Sequence, residues 1–155
     1  MAVRLHYRAL LLAAGAALAL GGCETVEEEV NEGIGNRFQA QLSGAAERPG
    51  PGDPDGTGMA RIAINDATNR VCTDLEVRNI GNVTAAHIHR GGPQVAGPPV
   101  VTLDAPDDDD SDDCDTVDDA LVDEIRANPG GFYVNVHTTD YPNGAIRGQI
   151  AEVLD

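Results

Sequence analysis

Apolar and polar positions alternate along most of this chain. Phe38, Ala40 and Leu42 alternate with Arg37, Gln39 and Gln41. Ala60, Ile62 and Ile64 alternate with Arg61 and Asn65, and Val71, Thr73, Leu75 and Val77 with Cys72, Asp74, Glu76 and Arg78. A period of two marks strands with one face buried and one face wet. Further strands are expected at Ala85–His89, Val100–Leu103, Phe132–His137 and Ala145–Val153. Turn-rich stretches separate the early strands: Pro49 to Gly58, Asn65 to Asn69, and Asn79-Ile80-Gly81-Asn82. Short strands at regular spacing predict an all-β domain, an antiparallel β-sandwich or barrel of Greek-key or immunoglobulin-like type.

One segment changes period. Val117, Leu121 and Ile125 are spaced by four, acidic residues fill the first turn, and Asn128-Pro129-Gly130-Gly131 ends the run. This predicts one short helix over Thr116–Ala127. Before it lies Asp107-Asp108-Asp109-Asp110-Ser111-Asp112-Asp113. A run of like charge reads as a solvated loop. The ligand spacing of a calcium-binding DxDxDG loop is absent.

The N-terminus sets the compartment. Arg4 and Arg8 precede an apolar stretch, Ala9 to Leu20, which small residues follow. That is the layout of a secretory signal, and it is shorter than the roughly 20 residues of a membrane span. Cys23 directly after Leu20-Gly21-Gly22 resembles the bacterial lipobox, where a precursor is acylated on cysteine and cleaved before it. The chain then divides into a lipoprotein signal peptide (1–22), an acidic tether beginning at Cys23 (23–36) and a β domain (37–153). Two or more acyl chains give stable anchoring. The expected location is the cell envelope, lipid-anchored and facing the periplasm or the extracellular space, with the membrane and an envelope or extracellular protein as partners. Export also makes the two remaining cysteines, Cys72 and Cys114, an expected disulfide.

Charge removes one class of partner. The chain carries 26 acidic residues against 10 arginines, has no lysine, and has a net charge of −16. Phosphate backbones repel such a surface, so nucleic acid is excluded.

Chemistry, if any, rests on histidine. Outside the signal peptide there are His87, His89 and His137. His87 and His89, two apart in a strand, share a face. In Phe132–His137 the face opposite Phe132, Val134 and Val136 carries Tyr133, Asn135 and His137, and in the last strand Arg147 and Gln149 face away from Ile146 and Ile150. If these strands are neighbours, the seven polar residues make one patch. Three imidazoles from adjacent strands can hold zinc or copper. The competing reading is structural: the histidines hydrogen-bond to one another and to Asn135, Arg147 or backbone. No acidic residue within these motifs supports the ligands, and Arg147 would bring a positive charge near an ion.

Several of these segments resemble the CHRD domain, first described in chordin. They are Ala86-His87-Ile88-His89-x-Gly91, then Phe132-Tyr133-Val134-Asn135-Val136-His137-Thr138, and Tyr141-Pro142-x-Gly144-x-Ile146-Arg147-Gly148-Gln149-Ile150. Phe38-x-Ala40-x-Leu42-Ser43-Gly44-x-x-Glu47-x-Pro49 resembles the start of that domain. Ala145 departs from the pattern, which commonly has Glu before Ile-Arg-Gly-Gln. The resemblance implies an extracellular all-β module with no general enzymatic activity, and it names no ligand. The expected function is a membrane-anchored, non-enzymatic binding or structural module, with a histidine-based zinc or copper protein as the alternative. A dismutase-like enzyme, by analogy with copper–zinc superoxide dismutase, needs more ligands than three histidines. Nucleophilic catalysis has little to work with, since Ser43 and Ser111 lie outside any GxSxG turn.

Overall fold

Alternating side chains become a sheet when strands find neighbours, and here hairpins of sequential strands are joined by pairings between strands distant in the chain. The computed structural model describes residues 36–153. The signal peptide, Cys23 and the tether up to residue 35 lie outside them. The strands are β1 (Asn36–Ser43), β2 (Thr57–Asn65), β3 (Arg70–Arg78), β4 (Val83–Arg90), β5 (Pro99–Leu103), β6 (Asp110–Thr116), β7 (Phe132–Thr138), β8 (Ile146–Gln149) and β9 (Ala151–Glu152). They form one antiparallel sheet in the order β5-β4-β7-β8-β1-β2-β3-β6, with β9 also pairing β1. The sheet curls into a nearly closed barrel whose seam lies between its two ends, β5 and β6. Ser111 on β6 donates across that seam to the carbonyl of Asp104, just past β5, at 2.9 Å. The all-β expectation holds, in its barrel form.

The residues predicted to face inward do so. Phe38, Leu42, Ile62, Ile64, Leu75, Ile88, Phe132, Val134, Ile146 and Ile150 are buried in one core. Their alternation with exposed neighbours is what fixes register, because a slip of one residue would turn each strand inside out. The α-helix α1 (Asp119–Ala127) adds Val122 and Ile125 to the same core.

Two expectations need correction. The helix starts at Asp119 rather than Thr116. Thr116 still pairs with Arg70 of β3, and the Val117 amide donates to the Asn69 carbonyl at 2.9 Å. That backbone is already committed to the sheet edge. The aspartate run, read as a solvated loop, is a turn followed by a strand. Asp108 and Asp109 have positive φ, and from Asp110 onward the chain pairs with β3. The edge of β3 offers a row of unsatisfied backbone groups, and pairing satisfies them whatever the side chains are. In this strand alternate aspartates point to opposite sides, so the run does not converge on one point.

The disulfide was expected and is present. Cys72 and Cys114 sit directly opposite each other on β3 and β6 and are bonded. The last expected strand, Ala145–Val153, is split into β8 and β9 around Ile150, whose amide donates to the Phe132 carbonyl.

Candidate functional site

Register decides whether the polar residues meet. On β4 and β7 the pairs are Ala85 with His137, His87 with Asn135, and His89 with Tyr133. On β7 and β8 they are Asn135 with Arg147, and Tyr133 with Gln149. All seven expected patch residues therefore lie on one face of three neighbouring strands, the face away from Ile88, Val134 and Ile146.

That face is covered rather than wet. Tyr133, Asn135, His89 and Arg147 are buried, and Arg147 is only 1% exposed. The expectation that Arg147 points outward into solvent is overturned. Its Nη2 donates to the Gly92 carbonyl at 2.8 Å, and its guanidinium lies 3.4 Å from the centre of the Tyr133 ring. Gln149 donates to the carbonyls of Gly91, Gly130 and Phe132. The Tyr133 hydroxyl accepts from the Gly97 amide at 3.1 Å. The segment between β4 and β5 is thus a lid on the patch, held mostly by its own backbone. Gly97 allows the approach: a Cβ there would sit 1.7 Å from the Arg90 carbonyl oxygen.

A second cover comes from the turn after β1. Glu47 lies 88 residues before Asn135 and accepts a hydrogen bond from its side-chain amide, which also donates to the Ile146 carbonyl at 3.0 Å. Glu47 was not among the expected site residues, and the patch was expected to lack a carboxylate. The one hint was its place in the Ser43-Gly44-x-x-Glu47-x-Pro49 motif. Gly144 makes room for it, at φ 138°, where a Cβ would come within 2.5 Å of the carboxylate. Burial raises the Glu47 carboxyl from 4.5 to about 7, although the Arg147 charge and the Asn135 hydrogen bond pull it down.

The three histidines are brought together. Ring centres are 5.5 Å apart for His87 and His89, 5.2 Å for His87 and His137, and 6.2 Å for His89 and His137. His89 also stacks on Tyr133 at 4.9 Å. One ring nitrogen from each histidine lies within 4.8 Å of the other two. Nδ1 of His89 bonds the Gly97 carbonyl at 2.8 Å, and Nδ1 of His137 bonds the Pro142 carbonyl at 3.1 Å. A carbonyl only accepts, so each Nδ1 carries a proton, and in the neutral ring Nε2 then keeps a lone pair. Nε2 of His89, Nε2 of His137 and Nδ1 of His87 are buried with no hydrogen-bond partner among the described residues. Burial, reinforced by the neighbouring imidazoles, pushes the His87 and His89 pKa values below the usual 6.5. The neutral forms are therefore favoured.

These shifts act on stability with opposite signs. The Glu47 proton is bound more tightly in the folded state, so its contribution is complete below 4.5 and is lost as pH rises through about 7. His87 and His89 bind protons less tightly when folded, so their contribution is present above 6.5 and is lost as pH falls. The Glu47→Gln variant separates the two, because the amide oxygen can still accept from Asn135. Relative to wild type it should gain stability between pH 4.5 and about 7, read from urea midpoints across that range. Parallel curves would show that the Glu47 carboxyl titrates normally.

The CHRD domain model matches residues 38–150 of the chain. No curated protein matches it, and no solved structure does.

Proposed function

This chain belongs to the CHRD domain family, and from that we propose that it is an exported, non-enzymatic binding module of the cell envelope, held to a membrane by acyl chains on Cys23. The family supports an extracellular type of module. The observation that carries export is the Cys72–Cys114 disulfide. Such a pair persists where the surroundings are oxidising, and cytosolic thiol systems would reduce it. The Leu20-Gly21-Gly22-Cys23 sequence supports lipidation, and the acidic stretch after it would hold the barrel off the bilayer. In this reading the histidine-bearing face of β4, β7 and β8 is where a ligand or envelope partner binds. Half-buried His87 and His137 lie at its accessible margin.

Intact mass of the protein in the membrane fraction tests the proposal. The expected chain begins at Cys23 and carries lipid mass. It has lost residues 1–22, and with Arg4 and Arg8 gone its net charge is −18. Cys23→Ser should abolish the lipid mass and the membrane association together. A mature chain that starts elsewhere, or one without lipid, overturns the anchoring.

A further inference from the structure

We propose that His87, His89 and His137 form a binding site for one zinc- or copper-class ion, with three imidazole ligands and a fourth position open to water or a small anion. The inference goes beyond the envelope reading and stands without it.

Geometry comes first. Tetrahedral zinc with bonds of about 2.0–2.1 Å to nitrogen sets its ligand atoms roughly 3.4 Å apart. The three nitrogens already lie within 4.8 Å of one another. The widest pair would have to close by about 1.4 Å to reach that spacing, a movement within reach of small side-chain rotations.

Hydrogen bonding is the second argument. The structural reading has the histidines bond to one another and to Asn135, Arg147 or backbone, and the backbone bonds of His89 and His137 satisfy only one nitrogen of each ring. With both Nδ1 atoms committed to the Gly97 and Pro142 carbonyls, the Nε2 atoms of His89 and His137 are both acceptors. Two acceptors cannot bond to each other, and the one remaining ring could bridge to only one of them. Each ring thus keeps one buried, unpartnered nitrogen, in a cluster where one nitrogen of each ring lies within 4.8 Å of the others, and such nitrogens are costly unless something electrophilic completes them.

The outer contacts have the form that metal ligands take. A ligating imidazole usually donates its other ring N–H to a carbonyl or carboxylate, which fixes tautomer and ring orientation. His89 and His137 both do this. The sheet supplies the rigidity: two ligands come from β4 and one from β7, locked in register. Tyr133 stacks under His89 and is itself backed by Arg147, so the ring cannot swing away.

Ligand chemistry narrows the ion. Neutral imidazoles suit zinc and copper, whereas calcium and magnesium want oxygen. The clustered group contains histidine alone among the described residues, so no thiolate or carboxylate neutralises the ion. The open position therefore favours hydroxide or another small anion, as it does at other three-histidine zinc centres.

The test is calorimetric titration of the full chain, purified in detergent without a histidine tag and stripped with chelator. Zinc chloride and copper(II) chloride are the probes and magnesium chloride the control. One ion per chain is expected for zinc or copper and none for magnesium. His137→Gln and His87→Gln should each weaken binding at least about tenfold, with far-ultraviolet circular dichroism unchanged. If either variant fails to fold, wild-type protein supplies the second readout: zinc should protect the three histidines from diethyl pyrocarbonate, mapped by mass spectrometry. Absence of saturable binding with both ions overturns the proposal, and so does modification that zinc does not slow. Binding that survives in a folded His137→Gln variant also overturns it and places the ion on the acidic surface. None of these outcomes depends on whether Cys23 is acylated.

Discussion

Replacing Cys72 and Cys114 together with alanine should lower stability by about 4 kcal/mol, the chain-entropy value for a crosslink spanning 42 positions. Against a typical total of about 5–15 kcal/mol this is a large loss. β6 has particular need of the crosslink. Its sequence, Asp-Ser-Asp-Asp-Cys-Asp-Thr, buries no apolar side chain, and among the described residues it pairs with β3 alone. The pairing sets Asp112 against Asp74 and Asp110 against Glu76, and like charges directly opposite destabilise a sheet. Arg61 on β2 offsets part of this, reaching Glu76 at 2.7 Å and Asp74 at 3.2 Å. In the alanine double variant β6 should detach first. Sodium chloride should restore part of the loss, since the screening length falls from about 10 Å at 0.1 M to about 3 Å at 1 M. Urea unfolding at both salt concentrations measures this. A loss below about 1 kcal/mol would mean that backbone pairing alone holds the strand, against the entropic expectation.

Arg147→Ala should cost about 2–5 kcal/mol, the range for truncating a long buried side chain to alanine. The guanidinium fills the space above Tyr133, bonds the Gly92 carbonyl and draws Glu47 toward ionisation. Alanine leaves a cavity and an unpaired carbonyl, and without the guanidinium the buried Glu47 carboxyl holds its proton more tightly. Arg147→Met keeps most of the volume on Tyr133 and should cost less, about 1–3 kcal/mol, mainly through the Gly92 carbonyl. The two midpoints in urea check the ordering. If both variants cost under about 1 kcal/mol, water already wets this face and the Gly91–Gly97 lid is not a packed layer.

Much of this was legible in the sequence, and the illegible parts share a cause. β1, β2, β3 and β7 announce themselves because burial on one face imposes a period of two. β6 does not, because what makes it a strand is the open edge of β3 and a disulfide, neither of which leaves an apolar pattern. The true start of α1 was hidden for the same reason: Thr116 and Val117 are held by Arg70 and Asn69, far back in the chain. At the candidate site, strand parity placed His87 and His89 on one face, and His137 with Tyr133 and Asn135 on another. It could not say that the two strands would pair so that the rings come level. The cover was invisible, since it consists mainly of the carbonyls of Gly91, Gly92 and Gly97, and a carbonyl has no side-chain signature. Glu47 arrives through a contact 88 residues long, which no local pattern encodes.

The barrel's seam has a consequence for molecules crowded side by side. A sheet that does not fully close keeps a terminal strand whose backbone could recruit the same strand from a neighbour, and chains tethered to a membrane, as proposed here, meet at high local density. The strand at that end is β6, and its aspartates project on both sides of the ribbon. A second copy approaching with the same strand would have to bring its own aspartates alongside these, with no lysine anywhere in the chain to relieve them. Charge placed where it weakens the fold thereby keeps two copies from pairing through this strand.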